Sequence, residues 1–363
     1  MVNFDVGVIL PAAGTGDRLG GPTPKQYCKI MGRPLFLFAL QEFLAVPWVK
    51  KIALVVDNPD HACRFLEETC FDKDKLIVVQ GEHTRHRSIR AGVQEILKND
   101  LNLQVLVVHD AVRPFVPMGF LEELVLSANE HGAAGAIRPL VSTVVKQDEN
   151  GFLQKCLDRS EYVASETPQA FQSNVLSKAF SHCSEEELEK GTECLQLALA
   201  YAGVSARLIT GPSDLWKVTY KKDLYAATCC IRERARRACV VAAEDSATVR
   251  QVEAALRGSL GAVERVASAK AIAPGSFNTI VLCHSRGVDP DRQLVDLAAA
   301  VDVNKEGVVV HVTEHAEGVR EGEGVVAVRC GGRGGQERRA AALVEAVVAS
   351  ADPSAFAGQT FFL

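Results

Sequence analysis

No stretch of this chain is long and apolar enough to serve as a membrane helix, which needs roughly 18–20 residues. The N-terminus, MVNFDVGVILPAAG, has no basic n-region and enters an apolar strand at once, so a signal peptide is not expected. An excess of positive charge is also missing: 40 Lys and Arg stand against 45 Asp and Glu, a net charge of −5. A nucleic-acid binder more often shows a basic excess, so nucleic acid is set aside as a partner. The eleven cysteines include no Cys-x-x-Cys pair, and the adjacent Cys229 and Cys230 suit an ordinary structural disulfide poorly. They read as free thiols in a reducing compartment, many of them small buried hydrophobes. Together these absences predict a cytosolic protein without membrane insertion.

Familiar catalytic signatures are missing as well. No G-x-x-x-x-G-K-[ST] run occurs, and no G-x-S-x-G nucleophile context favours covalent hydrolysis. A dinucleotide fingerprint nearly forms at Gly14 and Gly16, but the next glycine is Gly20, one position too late. Pro22 and Pro24 follow and stop any long helix there.

What is present is a 363-residue chain with 47% hydrophobic and 23% charged residues, long enough for two domains with ordinary cores. All five tyrosines, both tryptophans and all three methionines precede Ala226. Beyond it Lys270 and Lys305 are the only lysines, and Ala, Val and Gly dominate. A boundary is expected in or just after Ile231–Ala238, giving domains over 1–230 and 238–363.

The first part alternates apolar strands (6–13, 50–57, 75–81, 103–111) with helices (34–46, one through Phe65, 87–98, one from Phe120). Continuous apolar strands joined by helices predict a parallel sheet covered on both faces. Ligands of such sheets sit beyond the strands' carboxyl ends. The loop LPAAGTGDRLGGPTPKQY (10–27) and HDAVRP (109–114) would then share one crevice. The second part repeats the alternation, with strands at 238–244, 277–285, 307–314 and 324–332 and helices at 247–258, 291–301 and 336–349.

The loop has little side-chain bulk, so its backbone N–H groups can approach an anion, and Arg18 and Lys25 add two cations. Such charges suit phosphoryl chemistry. Asp110, at a strand end, suits Mg²⁺, which takes one or two carboxylates plus phosphate oxygens. His109 reads as a packed histidine, and His83 and His86 lack the companions of a metal site. Arg159, Thr167 and Pro168 fall in an extended segment. Lys217, between Trp216 and Val218 in a strand-like run, needs an anion nearby or must snorkel.

Taken together, LPAAGTGDRLGGPTPKQY, GEHTRHRSI, VVHDAVRPF, DRSEYVASETPQAF and WKVT resemble, in order and spacing, the IspD-type cytidylyltransferases over about residues 6–226. The resemblance implies an α/β Rossmann-like nucleotidyltransferase sheet, glycosyltransferase-A-like, with a protruding dimerisation arm, plus a smaller degenerate Rossmann-like C-terminal domain. It implies that Ala12, Ala13, Gly14, Gly16, Gly81, Arg85, Ser88 and Ala111 surround CTP. Arg18, Lys25 and Lys217 would be catalytic, and Asp110 would hold Mg²⁺. Asp110, Arg113, Thr143, Arg159, Thr167, Thr192 and Lys217 would serve the sugar-phosphate acceptor. The arm around Val141–Ser160 would be exchanged in a homodimer, so that Thr143, Arg159 and Thr167 act in the partner's site.

Departures concern the acceptor and part of the base pocket: Glu82 and His83 replace Gly-Asp, Ser142 replaces an acid, and Glu193 and Cys194 replace Asp-Glu. No Asp-x-His metal motif follows Cys239, unlike the bifunctional bacterial fusions. The two-domain arrangement instead resembles the vertebrate branch, which makes CDP-L-ribitol and pyrophosphate from CTP and D-ribitol 5-phosphate for O-mannosyl glycans of α-dystroglycan. The alternative acceptor is 2-C-methyl-D-erythritol 4-phosphate. Two further readings apply to the second domain. An oxidoreductase would want a Tyr-x-x-x-Lys dyad, yet no tyrosine follows Tyr225; a scaffold would bind partners only.

Overall fold

In the computed structural model the apolar run after Asp5 folds as β1 (Val6–Ala12), buried along nearly all its length. The structure describes residues 1–16, 19–21, 23–67, 73–98, 102–235, 237–242, 244–260, 262–268, 279–284, 308–313, 325–329, 336–349 and 359–362. The expected helix at 291–301 and the glycine-rich segment 330–335 lie outside them.

The chain divides into two units, Met1–Ala227 and Thr228–Leu363. In the first, β1 is followed by β2 (Lys29–Ile30), β3 (Arg33–Pro34), α1 (Phe36–Leu44), β4 (Val49–Val56), α2 (Pro59–Glu67), β5 (Leu76–Gln80), α3 (Arg85–Lys98), β6 (Val105–Val108) and α4 (Met118–His131). Next come β7 (Ala133–Pro139), β8 (Val144–Gln147), β9 (Leu153–Leu157), β10 (Val163–Gln172), α5 (Ser173–His182), α6 (Glu185–Lys190), α7 (Cys194–Leu197) and β11 (Arg207–Thr210). The unit boundary falls inside α8 (Lys221–Ala235).

Seven strands form the sheet in the order β11-β7-β10-β6-β1-β4-β5. Alternate residues of β1 feed two cores, Val8 and Leu10 meeting Phe36 and Phe43 on one face, Ile9 meeting Ile89, Ile96 and Phe180 on the other. Burial on both faces is why these strands read as unbroken apolar runs. The sheet is not wholly parallel: β10 runs antiparallel to both β6 and β7. Its direction is invisible in composition, because its second half is buried like a central parallel strand. Reversing β10 brings Thr167, near its middle, beside the end of β6.

Between β7 and β10 the chain leaves the sheet as the antiparallel hairpin β8–β9. The Asp148 carboxylate accepts from the backbone N–H groups of Asn150 and Phe152, fixing its turn. Val145, Phe152 and Leu153 are 55%, 71% and 70% exposed there, a cost no solvated loop needs.

The second unit holds β12 (Arg237–Val241), α9 (Ala247–Ser259), β13 (Ala262–Val266), β14 (Thr279–His284), β15 (Val308–Thr313), β16 (Val325–Arg329), α10 (Gln336–Ala349) and β17 (Thr360–Phe362). Its six strands pair in the order β13-β12-β14-β15-β16-β17, all parallel. Numbered within the unit this is 2-1-3-4-5-6, nearer the flavodoxin-like order than that of the dinucleotide-binding sheet. A valine-rich core spans Val240, Val252, Val281, Val310, Val328 and Val344.

Candidate active site

The crevice opens at the carboxyl end of β1. Pro11, Ala12, Ala13 and Gly14 line it with Lys25 and Gln26, residues 82–85, Ser88, Asp110, Val112 and Lys217. The crevice is open to solvent, and its volume of about 190 Å³ lies below the usual range for a closed small-molecule site.

Glycine is required at two points of its rim. Gly16 has φ +78°, and a Cβ there would meet the Lys25 backbone N at 2.8 Å. Gly81 lies just behind the wall, where a Cβ would meet the Ala13 Cβ at 2.4 Å. Its N–H donates to Val56 O at 2.7 Å, closing the β5 end onto β4. Pro24 precedes a short 3₁₀ turn, Lys25–Tyr27, that carries Lys25 to the cleft. The buried Gln26 donates through Nε2 to Gly14 O at 3.0 Å and so ties the loop to this turn. The sequence reading missed Gln26, whose only signal is a polar residue beside Lys25. Arg18 and Pro22 lie outside the described residues.

Ser88 accepts from the Glu82 N–H at 3.0 Å and donates to Glu82 O at 2.9 Å, folding the 81–88 loop back on α3. His83 pairs with Glu189 at 3.0 Å, while the buried His86 meets Glu187 O through Nδ1 at 2.9 Å. His109 is fully buried, edge-on to Phe43, with Nε2 3.0 Å from Arg113 O. Burial lowers its pKa to about 4, so it stays neutral at physiological pH.

Asp110 is the centre of the site. Its Oδ1 accepts from Arg85 Nε and Nη2, both at 3.1 Å. Its Oδ2 accepts from Lys217 Nζ at 2.9 Å and faces Arg113 Nε at 3.5 Å. Burial by itself would push this carboxyl up; Arg85, Lys217 and Arg113 outweigh it and hold the group well below the carboxylate range. The anion that Lys217 needed is therefore Asp110. Lys217 does not lie on a strand: a 3₁₀ turn (Ser213–Leu215) precedes it, and Val218 N–H donates to Val112 O at 3.1 Å. That bond, with the Arg113 guanidinium on Leu215 O, fixes the segment against the loop after β6.

Other expected residues stand around this centre. Ala111 is fully buried, its N–H donating to Pro11 O at 3.4 Å. Thr167 is also buried, and its Oγ1 accepts from the Asp110 N–H at 3.1 Å. It thus meets Asp110 of its own chain, a contact that follows from the reversed β10. Thr192 contributes its carbonyl, which accepts from Arg85 Nη1 at 2.8 Å. Cys194 lies behind Arg85, its thiol pushed up to about 11 by burial. Thr143 is exposed at the base of the hairpin, where Arg159 Nη1 donates to Val141 O at 2.6 Å.

Among the described residues no group of three or more His, Cys, Asp or Glu side chains is placed to hold a metal ion. The four lone-pair positions of Asp110 face four cationic N–H contacts. As it stands, the carboxylate does not fit a dication held by the protein alone. Three cations around one carboxylate leave a surplus of positive charge that suits a polyphosphate.

The fold and the cationic cleft at its strand ends define the class, a nucleotidyltransferase-like α/β domain. Residues 6–233 match the family model described as IspD: 2-C-methyl-D-erythritol 4-phosphate cytidylyltransferase, and the chain belongs to that family. It is similar to the D-ribitol-5-phosphate cytidylyltransferase of Xenopus tropicalis, 46% identical over 64% of this chain and 59% of that protein. With the Homo sapiens protein of the same name it shares 46% identity over 65% of this chain and 54% of the relative. The aligned part is thus little more than half of those relatives' own length. The 2-C-methyl-D-erythritol 4-phosphate cytidylyltransferase of Chromobacterium violaceum is 29% identical over 62% of this chain and 97% of that one. The solved Francisella tularensis enzyme of that name superposes with a TM-score of 0.51 at 26% identity, covering 61% of this chain and 98% of that one.

Proposed function

We propose that the chain transfers CMP from CTP to D-ribitol 5-phosphate, forming CDP-ribitol and pyrophosphate. The observation that carries this reading is the Asp110 cluster, which holds Arg85, Arg113 and Lys217 at the mouth of a glycine-rich loop. The greater identity to the relatives named for D-ribitol 5-phosphate favours that acceptor over methylerythritol phosphate.

In this reaction an oxygen of the acceptor's phosphate attacks the α-phosphorus of CTP in line. A P–O bond forms there as the bond to the β-phosphate bridge breaks, and the electron pair leaves with pyrophosphate. The attacking phosphate is already anionic, so no strong base is needed. His109, next to Asp110, is neutral and buried, in keeping with this. The protein's part is positioning and charge neutralisation. The loop of Ala12, Ala13 and Gly14 would receive the triphosphate, and Lys25, Lys217 and Arg18 would offset charge on the reacting phosphates. Mg²⁺ would supply further neutralisation, entering with the triphosphate rather than on a ready-made protein site. The apolar β8–β9 hairpin would pair two chains into a homodimer, bringing Thr143 and Arg159 to the partner's acceptor.

Among the described residues no helix is long and apolar enough to cross a membrane. Action in the cytosol, upstream of O-mannosyl glycan assembly, is part of the same proposal. Incubation with CTP, Mg²⁺ and D-ribitol 5-phosphate, followed by mass spectrometry, tests it. The expected product has the mass of CDP-ribitol; recovery of CTP unchanged would overturn the reading.

A further inference from the structure

One carboxylate near the site has no part in the chemistry above. Glu166, on β10 immediately before Thr167, is only 5% exposed. Its Oε1 meets Arg138 Nη2 at 2.7 Å and Arg113 Nη1 at 3.5 Å. Its Oε2 is buried with no hydrogen-bond partner. A buried carboxylate left half satisfied is costly, so the position calls for an explanation.

Arg138 is its most direct partner. It lies on β7 opposite Ala164, two residues before Glu166, which sits where the register of the strand pair breaks. Unlike Glu166, Arg138 keeps 41% of its side chain exposed. A guanidinium has five N–H donors, and its contact to Glu166 uses one nitrogen. Two residues further on, the chain enters the segment where Val141 O receives Arg159. Arg113 links the pair back to Asp110, whose Oδ2 also holds Lys217. A buried acid thus aims one guanidinium inward at the reacting centre and a second outward at the base of the arm.

We infer that Arg138 is a specificity-determining residue for the acceptor, donating to hydroxyls of a polyol phosphate, and that Glu166 is the positioning residue that orients it. The inference rests on the proposed function for its acceptor class. A polyol such as ribitol 5-phosphate has a hydroxyl on every carbon that lacks the phosphate. Methylerythritol phosphate keeps a hydroxyl on each unphosphorylated backbone carbon, but it has one such carbon fewer and bears a methyl branch at C2. A guanidinium anchored on a buried carboxylate disfavours a methyl, because apolar contact leaves its remaining N–H donors unpaired. The same pair accepts hydroxyls, which can satisfy the remaining guanidinium donors.

The test compares kcat/KM for ribitol 5-phosphate and methylerythritol phosphate, with KM for CTP, in the wild type, Arg138→Ala, Arg138→Lys and Glu166→Gln. Because Arg138 is partly exposed, its variants should fold even if Glu166→Gln does not. In Arg138→Ala the ribitol-to-methylerythritol ratio should fall about tenfold or more, on the scale of a lost charge-assisted hydrogen bond, with KM for CTP unchanged. Arg138→Lys, which keeps the charge without the fork, should recover part of the ratio. Glu166→Gln should move it in the same direction as Arg138→Ala. An unchanged ratio in Arg138→Ala, or a parallel rise in KM for CTP, overturns the inference. The wild-type preference alone reports on the proposed function; the change of ratio reports on Arg138.

Discussion

At the scale of single residues, Asp110 does more for this site by holding cations than by any reaction of its own. Replacing it with Asn removes the carboxylate that Arg85, Arg113 and Lys217 share, leaving only Glu166 beside Arg113. That should cost about 3–5 kcal/mol of stability, the range for breaking a buried ion pair. Both tryptophans, Trp48 and Trp216, lie in the first unit, so fluorescence-detected urea unfolding reads that unit within the full chain. An unchanged midpoint would count against the cluster. Lys217→Ala should lower kcat about a hundredfold or more, because it removes a charge aimed at the reacting phosphates. His109 gives a pH signature. Its folded pKa is about 4 against an ordinary 6.5, so between these values the unfolded chain binds a proton that the folded chain refuses. Stability should therefore be level above about pH 6.5 and fall by about 3 kcal/mol as pH drops toward 4. The folded pKa of Asp110 is depressed, so its contribution is lost only as pH falls below the ordinary 3.8. His109→Gln should remove most of the slope between pH 6.5 and 4, leaving the share of His86, whose pKa burial also lowers.

At the scale of elements, the loops after β1 and β5 work as a pair. Gly81 exists to let them touch, since a Cβ would press on Ala13 at 2.4 Å and on Val56 O at 3.1 Å. Gly81→Ala should raise KM for CTP while leaving acceptor preference unchanged; steady-state kinetics with both acceptors checks this. The β8–β9 hairpin makes a different prediction. Phe152→Ser with Leu153→Ser should shift a dimer toward monomer in light scattering, because those exposed apolar side chains have no other use within the chain. A monomeric wild type would contradict that reading.

At the scale of the molecule, the sequence reports burial better than direction or partnership. Strands β1, β4 and β6 were legible because burial on both faces leaves unbroken apolar runs, and the half-buried edge strand β5 because its run is apolar too. The reversal of β10 was not, since a buried strand has the same composition either way. The Gly-Pro loop, Asp110 and Lys217 stood out as polar groups where apolar ones were due. That Lys217 meets Asp110 was hidden, because 107 residues separate them and their contact depends on how the whole intervening chain folds. Glu166 and Arg138 were missed for the same reason: each alone looks like a surface charge on a strand end. The second unit's order is now clear among the described residues, and its valine core explains its Ala/Val composition.

The central claim is that this cleft moves a cytidylyl group onto a ribitol phosphate. Competition in one vessel tests it most directly: limiting CTP, Mg²⁺, and equal concentrations of D-ribitol 5-phosphate and 2-C-methyl-D-erythritol 4-phosphate. The account predicts that CDP-ribitol forms in large excess, with pyrophosphate released in step. Excess of the methylerythritol product, or consumption of CTP without either product, would contradict it.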